Sequence, residues 1–249
     1  MIKVTVWNEF IHETTHEKVK AVYPNGIHKV IADFLSCDDI TVRTATLNMP
    51  ECGLTKEVLD DTDVLIWWAH MAHDKVPDEI AFRVRDAVNS GMGIIFLHSA
   101  HLSKPFRYLL GTACNLCWRE SGDSERLWVI EPGHPIAQGL DRFIEIPADE
   151  TYGEPFGVPN PDKTVFIGTY SGGEVFRSGI CYERLNGKIF YFQPGHETFP
   201  IYYQAEIQRV IKNAVRWAAP TCPRRALNCP MVNFPSDKEK GYIYVKPAK

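Results

Sequence analysis

The sequence has no hydrophobic run long enough for a membrane-spanning helix. Its longest unbroken apolar run covers residues 64–69, whereas a spanning helix needs roughly 18 such residues or more. Near the N-terminus, Glu9 lies where a secretory signal would still be apolar. We therefore expect no membrane partner and a cytoplasmic location.

The sequence also lacks the positive charge that nucleic-acid-binding proteins use. Its 249 residues carry 27 lysines and arginines against 31 acids, a net charge of −4, so we expect no nucleic-acid partner. Seven cysteines, an odd number, favour reduced thiols over a disulfide framework. One Cys-x-x-Cys pair, Cys114 and Cys117, is a weak match to a structural zinc site, which usually has a second ligand pair.

Several cofactor and hydrolase motifs are missing. No G-x-G-x-x-G follows the first strand and no G-x-x-x-x-G-K-[ST] occurs, so the phosphates of a nucleotide have no glycine-rich loop to bind. We expect no nucleotide cofactor. The absence of H-E-x-x-H and G-x-S-x-G also excludes the zincin and the ordinary α/β-hydrolase patterns.

Strand and helix patterns alternate through the first hundred residues. Short apolar strands are predicted at 2–7, 40–47, 63–68 and 93–97, with helical periodicity at 27–35, 54–59 and 76–90. Strands connected in this way form a parallel sheet covered on both faces. The predicted fold class is therefore α/β, a three-layer, doubly wound and mainly parallel sheet.

The second half of the chain has a different texture. Short strands with closely spaced turns are predicted at 127–130, 142–146, 164–170, 175–183 and 188–192, which indicates antiparallel additions at the sheet edge. A long helix from Tyr203 ends before Pro220 and closes a single domain of residues 1–218. Residues 219–249 hold five of the 17 prolines. We interpret them as an extended arm that docks through residues 242–245 on its own or a neighbouring subunit, in a homo-oligomer.

Histidines are concentrated where strands end. In doubly wound sheets, ligands bind at the carboxyl ends of the strands. Five of the nine histidines lie at such ends: His12, His70, His98, His101 and His196. Such a histidine can act as a general acid or base, as an oxyanion donor or as a metal ligand. Taken singly, each could equally be a hydrogen-bonded loop residue.

Two passages resemble class I glutamine amidotransferases. Residues 93–101 (GIIFLHSAH) match the strand and turn that carry the nucleophilic cysteine of those enzymes, and residues 191–197 (YFQPGHE) match their His-x-Glu neighbourhood. The cysteine is missing here, because His98 and Ser99 stand at the turn. Glutaminase chemistry needs a thiolate, so we exclude that activity. A serine nucleophile at Ser99 served by His196 stays an alternative.

A wider resemblance covers residues 6–220. The passages that carry it are 6–13 (VWNEFIHE), 22–28 (VYPNGIH), 63–70 (DVLIWWAH), 91–99 (GMGIIFLHS), 150–154 (ETYGE), 172–179 (GGEVFRSG) and 187–197 (GKIFYFQPGHE). Together they resemble the trehalose-utilisation (ThuA-like) family. The resemblance implies a flavodoxin-like core related to the amidotransferases. It also implies a role in the metabolism of trehalose or related disaccharides, on keto-sugars made by a partner dehydrogenase.

These observations predict an enzyme that acts on a sugar carbonyl or glycosidic centre. Glu9 or Glu150 would take a proton from the carbon beside the carbonyl, while a histidine or a histidine-bound zinc or manganese ion polarises the oxygen. The predicted metal ligands are His70, His98 and His196. The full predicted catalytic set is Glu9, His98, Ser99, Glu150, His196 and Glu197.

Substrate binding is predicted for His12, Tyr152 and Arg177. Aromatic rings can cover the C–H faces of a sugar, and the strand ends supply Trp7, Trp67, Trp68, Tyr152 and Phe199, although the same rings could be core. Arg177 could equally pair with a neighbouring strand. A non-catalytic carbohydrate-binding or regulatory module on the same scaffold is the alternative to an enzyme.

Overall fold

The computed structural model of the protein describes residues 1–225. Most of the arm predicted from residue 219, including its predicted docking segment 242–245, lies outside the described residues. Within residues 1–225, the chain forms one nine-stranded mixed sheet in the order β2-β1-β3-β4-β9-β8-β7-β5-β6. No helix in the described part is long and apolar enough to cross a membrane.

The first half of the sheet is parallel. Its strands are β1 (Ile2–Asn8), β2 (Ile40–Thr46), β3 (Val64–Trp68), β4 (Gly93–Leu97) and β9 (Gly187–Phe192). The four predicted apolar strands are all present, with ends shifted by one residue at most. Every residue of β3 and β4 is buried, because helices cover both faces of the sheet.

Seven α-helices connect and cover the strands within residues 1–225. They are α1 (His12–Thr15), α2 (Glu17–Val22), α3 (Ile27–Leu35), α4 (Lys56–Asp60), α5 (Asp78–Asn89), α6 (Lys104–Leu110) and α7 (Ala205–Ala218). Apolar residues at helical spacing face the sheet, for example Ile207, Val210 and Ile211 of α7. Two separate apolar cores lie on the two faces of the sheet, which gives the three-layer, flavodoxin-like architecture predicted from the sequence.

The second half of the sheet is antiparallel, and its strands are longer than predicted. They are β5 (Cys117–Val129), β6 (Phe143–Gly153), β7 (Lys163–Tyr170) and β8 (Val175–Arg184). The sequence predicts the start of β5 only at Leu127, because residues 117–126 show no apolar alternation. In the structure, most of these residues are exposed. Pairing with β6, across two register shifts, makes this stretch a strand.

Strand β9 corrects the prediction that the late strands are only edge additions. It pairs in parallel with β4 and antiparallel with β8, so it joins the two halves at the centre of the sheet. Its carboxyl end therefore lies beside those of β3 and β4. The residues that follow these three strands meet at one edge of the sheet.

Candidate functional site

Three loops at the carboxyl ends of β3, β4 and β9 bring together His70, His98, His196 and Glu197. One ligand atom from each of these four side chains lies within 4.8 Å of all the others. We call this group the histidine cluster. The ring centroids of its three histidines are 5.3–5.9 Å apart, although the residues are up to 126 positions apart in the sequence. His98, His196 and Glu197 are buried, and His70 is half-buried.

His98 lies at a sharp turn directly after β4. Its backbone is in the left-handed region, with φ of +53°, which is uncommon for a residue other than glycine and is often found at functional sites. The ring is fixed because Nδ1 lies 3.0 Å from the carbonyl oxygen of Gln193. Since a carbonyl oxygen can only accept a hydrogen bond, Nδ1 is the donor. The other ring nitrogen, Nε2, then faces the cluster.

Glu150 and His98 form the buried pair of the site. His98 Nε2 and Glu150 Oε2 are 3.0 Å apart. Burial lowers the pKa of His98, but the Glu150 carboxylate more than compensates and raises it to about 9. Burial raises the pKa of Glu150, but His98 outweighs this effect and the pKa is lowered overall. Glu150 is therefore ionised at neutral pH.

Glu197 is held by His12 on the opposite side of the cluster. Glu197 Oε1 lies 2.6 Å from His12 Nδ1, and Oε2 lies 3.5 Å from His70 Nδ1. Burial raises the pKa of Glu197, but His12 and the cluster histidines lower it to about 2. For His70, burial dominates and lowers the pKa to about 4. Glu197 is thus a carboxylate beside a neutral imidazole, a combination typical of metal ligands.

Ser99 contacts His70 rather than the predicted partner His196. Its Oγ lies 3.0 Å from His70 Nδ1 and 2.9 Å from the Tyr152 hydroxyl. The Nδ1 atom of His196 instead lies 2.8 Å from Thr198 Oγ1. In a Ser-His-acid triad, serine and acid contact different ring nitrogens. Here Ser99 and Glu197 both approach Nδ1 of His70.

Two buried acids hold the loops of the cluster by accepting hydrogen bonds from backbone N–H groups. Both carboxylate oxygens of Glu9 are used in this way, by Met71 at 2.9 Å and by Ala72 at 3.0 Å. Glu9 therefore fixes the turn that carries His70.

Asp149, for which no sequence motif predicts a role, does the same for the loop after β9. It accepts from Gly195 at 3.0 Å, from His196 at 3.1 Å and from Glu150 at 2.9 Å. Its carboxylate thus joins the loop of His196 to the strand that carries Glu150.

Two cavities adjoin the cluster and share His70 and Glu120. The first, about 470 Å³, lies against Ser99, Glu150 and Tyr152, with Trp118 at its edge; we call it the Trp118 cavity. The second, about 860 Å³, is bounded by α1, α2 and the loop after β9, and includes His12, His16, Glu197 and Phe199; we call it the His16 cavity. Both volumes are in the range of small-molecule sites.

Not every predicted site residue joins this group. The guanidinium of Arg177 binds Glu154 through two contacts, of 2.7 and 2.9 Å, and borders neither cavity. Trp7, Trp67 and Trp68 are completely buried core residues. Trp118, 66% exposed, was missed because it lies in the polar stretch that gave no strand pattern.

The chemistry of the cluster fits a divalent metal. Three imidazoles and a carboxylate are a common zinc ligand set. Among the described residues, Glu197 Oε2 is buried without a hydrogen-bond partner, although such atoms are normally paired. Tetrahedral zinc holds its ligand atoms about 3.4 Å apart, whereas those of the cluster are up to 4.8 Å apart. Binding of zinc would therefore require the four side chains to move toward the ion by about 1 Å.

Comparison with known proteins gives a family match over most of the chain. The family model for trehalose utilisation, ThuA, matches residues 3–218. No curated protein matches the sequence.

Solved structures share the fold at low sequence identity. A ThuA-like protein from Bacteroides uniformis is 16% identical, with a TM-score of 0.63 over 87% of this chain and 90% of that chain. A cytoplasmic protein from Salmonella typhimurium is 12% identical, with a TM-score of 0.60 over 88% and 100%. PurLQS from Thermotoga maritima is 17% identical, with a TM-score of 0.52 over 87% and 98%. These three matches show that the chain shares its fold with the three proteins.

Proposed function

The chain belongs to the ThuA family of trehalose utilisation, and we propose that it is a metal-dependent enzyme that acts on a sugar or keto-sugar. Family membership supports a role in disaccharide utilisation. The residues of the site support the more specific proposal. The description of the Salmonella typhimurium relative as cytoplasmic supports the same compartment here.

The observation that carries the proposal is the position of Glu150 beside the histidine cluster. Glu150 is 4% exposed, it lies against the Trp118 cavity, and its Oε2 lies 3.0 Å from Nε2 of His98 in the cluster. A carboxylate placed next to a group of metal ligands is the arrangement required to remove a proton beside a polarised carbonyl.

The proposed reaction begins with proton transfer to Glu150. A divalent ion held by His70, His98, His196 and Glu197 would supply the positive charge that polarises the carbonyl oxygen. Glu150 takes the proton from the neighbouring carbon, and the electron pair of the C–H bond moves to give an enolate. Glu9 and Asp149 keep the ligand loops in place through backbone hydrogen bonds. Isomerases and lyases that act beside a carbonyl share this first step.

Metal analysis and an activity assay test the proposal together. Protein purified without a histidine tag should contain close to one zinc or manganese per chain. It should convert a keto-disaccharide to a product that mass spectrometry resolves, and chelation should remove both metal and activity. Metal-free protein with full activity would contradict the metal-dependent form. Binding of trehalose in a thermal-shift assay, with no turnover of keto-sugars, would favour the non-catalytic alternative.

The contact of Ser99 with His70 keeps a hydrolase as a second candidate. At 3.0 Å, the imidazole is near enough to activate the hydroxyl. This candidate predicts that a fluorophosphonate probe labels Ser99 covalently and that a Ser99→Ala variant is not labelled. No labelling of the wild-type protein would exclude it.

A further inference from the structure

The proposed function gives no role to His101, although the sequence places this histidine at a strand end. His101 lies in the 3-10 turn His98–Leu102 that follows β4, one turn beyond His98. It is 4% exposed, and it borders the Trp118 cavity together with Glu150. A buried imidazole at the wall of a cavity has two nitrogens that need hydrogen-bond partners.

One ring nitrogen of His101 is fixed by the backbone. Its Nδ1 lies 2.8 Å from the carbonyl oxygen of Cys114, so Nδ1 carries the proton and donates it. Cys114 has a left-handed backbone, with φ of +55°, which is uncommon for a residue other than glycine. Two hydrogen bonds of 2.7 Å brace this loop, from Thr112 Oγ1 to the Gly157 carbonyl and from Gly157 N to the Asn115 carbonyl. The carbonyl that fixes His101 is therefore held in place itself.

The second ring nitrogen, Nε2, is left as an acceptor. Burial outweighs the hydrogen bond to Cys114 and lowers the pKa of His101 to about 3, so the ring is neutral at neutral pH. A neutral imidazole with its proton on Nδ1 has a lone pair on Nε2. Among residues 1–225, the bond to Cys114 is the one hydrogen bond that this ring makes. A ligand in the cavity can therefore supply the donor that Nε2 needs.

Three aromatic rings fix the plane of the imidazole. Tyr152, Phe156 and Tyr191 pack edge-on against it, with ring centroids 5.6, 5.8 and 6.3 Å away. Tyr152 also stacks on His98 of the cluster, at 5.2 Å. A ring with a fixed plane and a fixed tautomer gives Nε2 one direction, and a fixed acceptor can distinguish between the hydroxyl groups of a ligand.

We propose that His101 is a specificity-determining residue whose Nε2 accepts a hydrogen bond from a hydroxyl group of the ligand in the Trp118 cavity. This inference rests on the proposed function, and it adds that the substrate carries a hydroxyl group besides the carbonyl that reacts. A residue that only connects the turn after β4 to the loop of Cys114 would need Nδ1 alone. Substitution can therefore separate recognition from structure.

His101→Asn is the variant that makes this separation. The amide of asparagine can donate to the Cys114 carbonyl as Nδ1 does, but no atom takes the place of Nε2. His101→Leu, an apolar side chain among aromatic rings, removes Nε2 in a second way in case His101→Asn does not fold. His134→Asn, at a distant turn and beside neither cavity, is the matched control.

The probes are glucose and its monofluoro derivatives, in each of which fluorine replaces one hydroxyl group. They are titrated calorimetrically into the full-length protein loaded with zinc. Wild type and His134→Asn should bind one derivative at least about tenfold more weakly than glucose, because fluorine cannot donate to Nε2. His101→Asn should bind glucose about fivefold more weakly than wild type does, and should bind that derivative within about threefold of glucose.

The outcomes separate this inference from the proposed function. Equal binding of glucose and all its derivatives by wild type, or a wild-type preference that persists in His101→Asn and His101→Leu, overturns the role of His101 and leaves the metal-dependent enzyme standing. A preference that these variants lose, in a protein that turns over no keto-sugar, supports the role of His101 and contradicts the enzyme. No binding of glucose by the zinc-loaded wild type overturns both.

Discussion

The two halves of the sheet contribute to the site in different ways. The parallel half supplies the histidine cluster from the loops after β3, β4 and β9. The antiparallel half supplies Glu150 and Tyr152 from β6 and the exposed Trp118 from β5. One half therefore provides the candidate metal ligands, and the other provides the candidate base and the wall for the substrate.

This division follows from the geometry of the strands. Parallel strands direct all their carboxyl ends to one edge, so side chains distant in sequence converge there. Antiparallel strands alternate in direction, and long ones such as β5 and β6 can extend past that edge. On this division, substitution of a cluster histidine should remove the metal, whereas substitution of Glu150 should lower turnover with the metal retained.

The largest effect is expected for His98→Asn. Asparagine tolerates the left-handed backbone at this position, so the variant removes the imidazole with little backbone strain. We expect loss of the bound metal and of all measurable activity, by elemental analysis and by the keto-sugar assay. His134→Ala, at a distant turn after β5, is the control that should keep both. Full metal content in His98→Asn would remove His98 from the ligand set.

Glu150→Gln should show the complementary behaviour. Removal of a general base typically costs about 10²- to 10⁴-fold in rate, so kcat should fall by this order while the metal content stays at the wild-type level. Glu120→Gln, an exposed carboxylate on the same two cavities, should change kcat by less than about tenfold. Comparable rates for Glu150→Gln and wild type would show that another group takes the proton.

How far the sequence predicts this molecule differs between the two halves. Apolar runs such as 64–68 and 93–97 identify parallel strands directly. Ligands bind at the carboxyl ends of such strands, which selects His70, His98, His196 and Glu197 even when the order of the strands in the sheet is unknown. The central position of β9 could not be read from its own residues, because the neighbours of a strand depend on the whole topology. Trp118 and Asp149 were missed since their positions depend on the pairing of β5 with β6, and residues 117–126 carry no apolar alternation.

Asp149→Asn tests the connection between the halves. Asparagine has one acceptor oxygen and an NH₂ group that cannot accept, so at least one of the backbone hydrogen bonds to Gly195 and His196 is lost. Positioning groups around metal ligands typically contribute about 10- to 100-fold in affinity, and we expect a loss of this order. The d–d spectrum of cobalt-substituted protein should shift as well, which a purely structural role would not require.

Glu125 provides the comparison for Asp149, because it is an equally buried acid in the antiparallel half that binds Ser178 and not the loops. Glu125→Gln should leave the metal affinity and the cobalt spectrum unchanged. If Asp149→Asn and Glu125→Gln weaken metal binding equally, the loss is a general effect of changing a buried acid. That result would contradict a specific role of Asp149 in positioning the loops.

Glu125 also predicts a pH dependence of stability. Burial, and then the nearby Asp149, raises the pKa of Glu125 to about 8, above the value near 4.3 of an unfolded chain. The folded protein thus keeps a proton that the unfolded chain releases, and the free energy of unfolding falls as the pH rises from about 4.5 to 8. Denaturant titrations should show that this group lowers the free energy of unfolding of wild type on the order of 3 kcal/mol between pH 5 and pH 8. Glu125→Gln should not show this decrease. The exposed Glu183→Gln should behave as wild type.

The smallest effect is expected for Arg177→Met. The guanidinium of Arg177 makes two contacts to Glu154 and borders neither cavity. A role in substrate binding predicts a higher KM for this variant, whereas the ion pair predicts only a change in stability. A partly exposed pair contributes up to about 1 kcal/mol, and methionine keeps an apolar stem next to Phe156. We therefore expect a small loss in the free energy of unfolding and an unchanged KM. A rise in KM of tenfold or more would return Arg177 to the substrate site and would extend the contribution of the antiparallel half as far as β8.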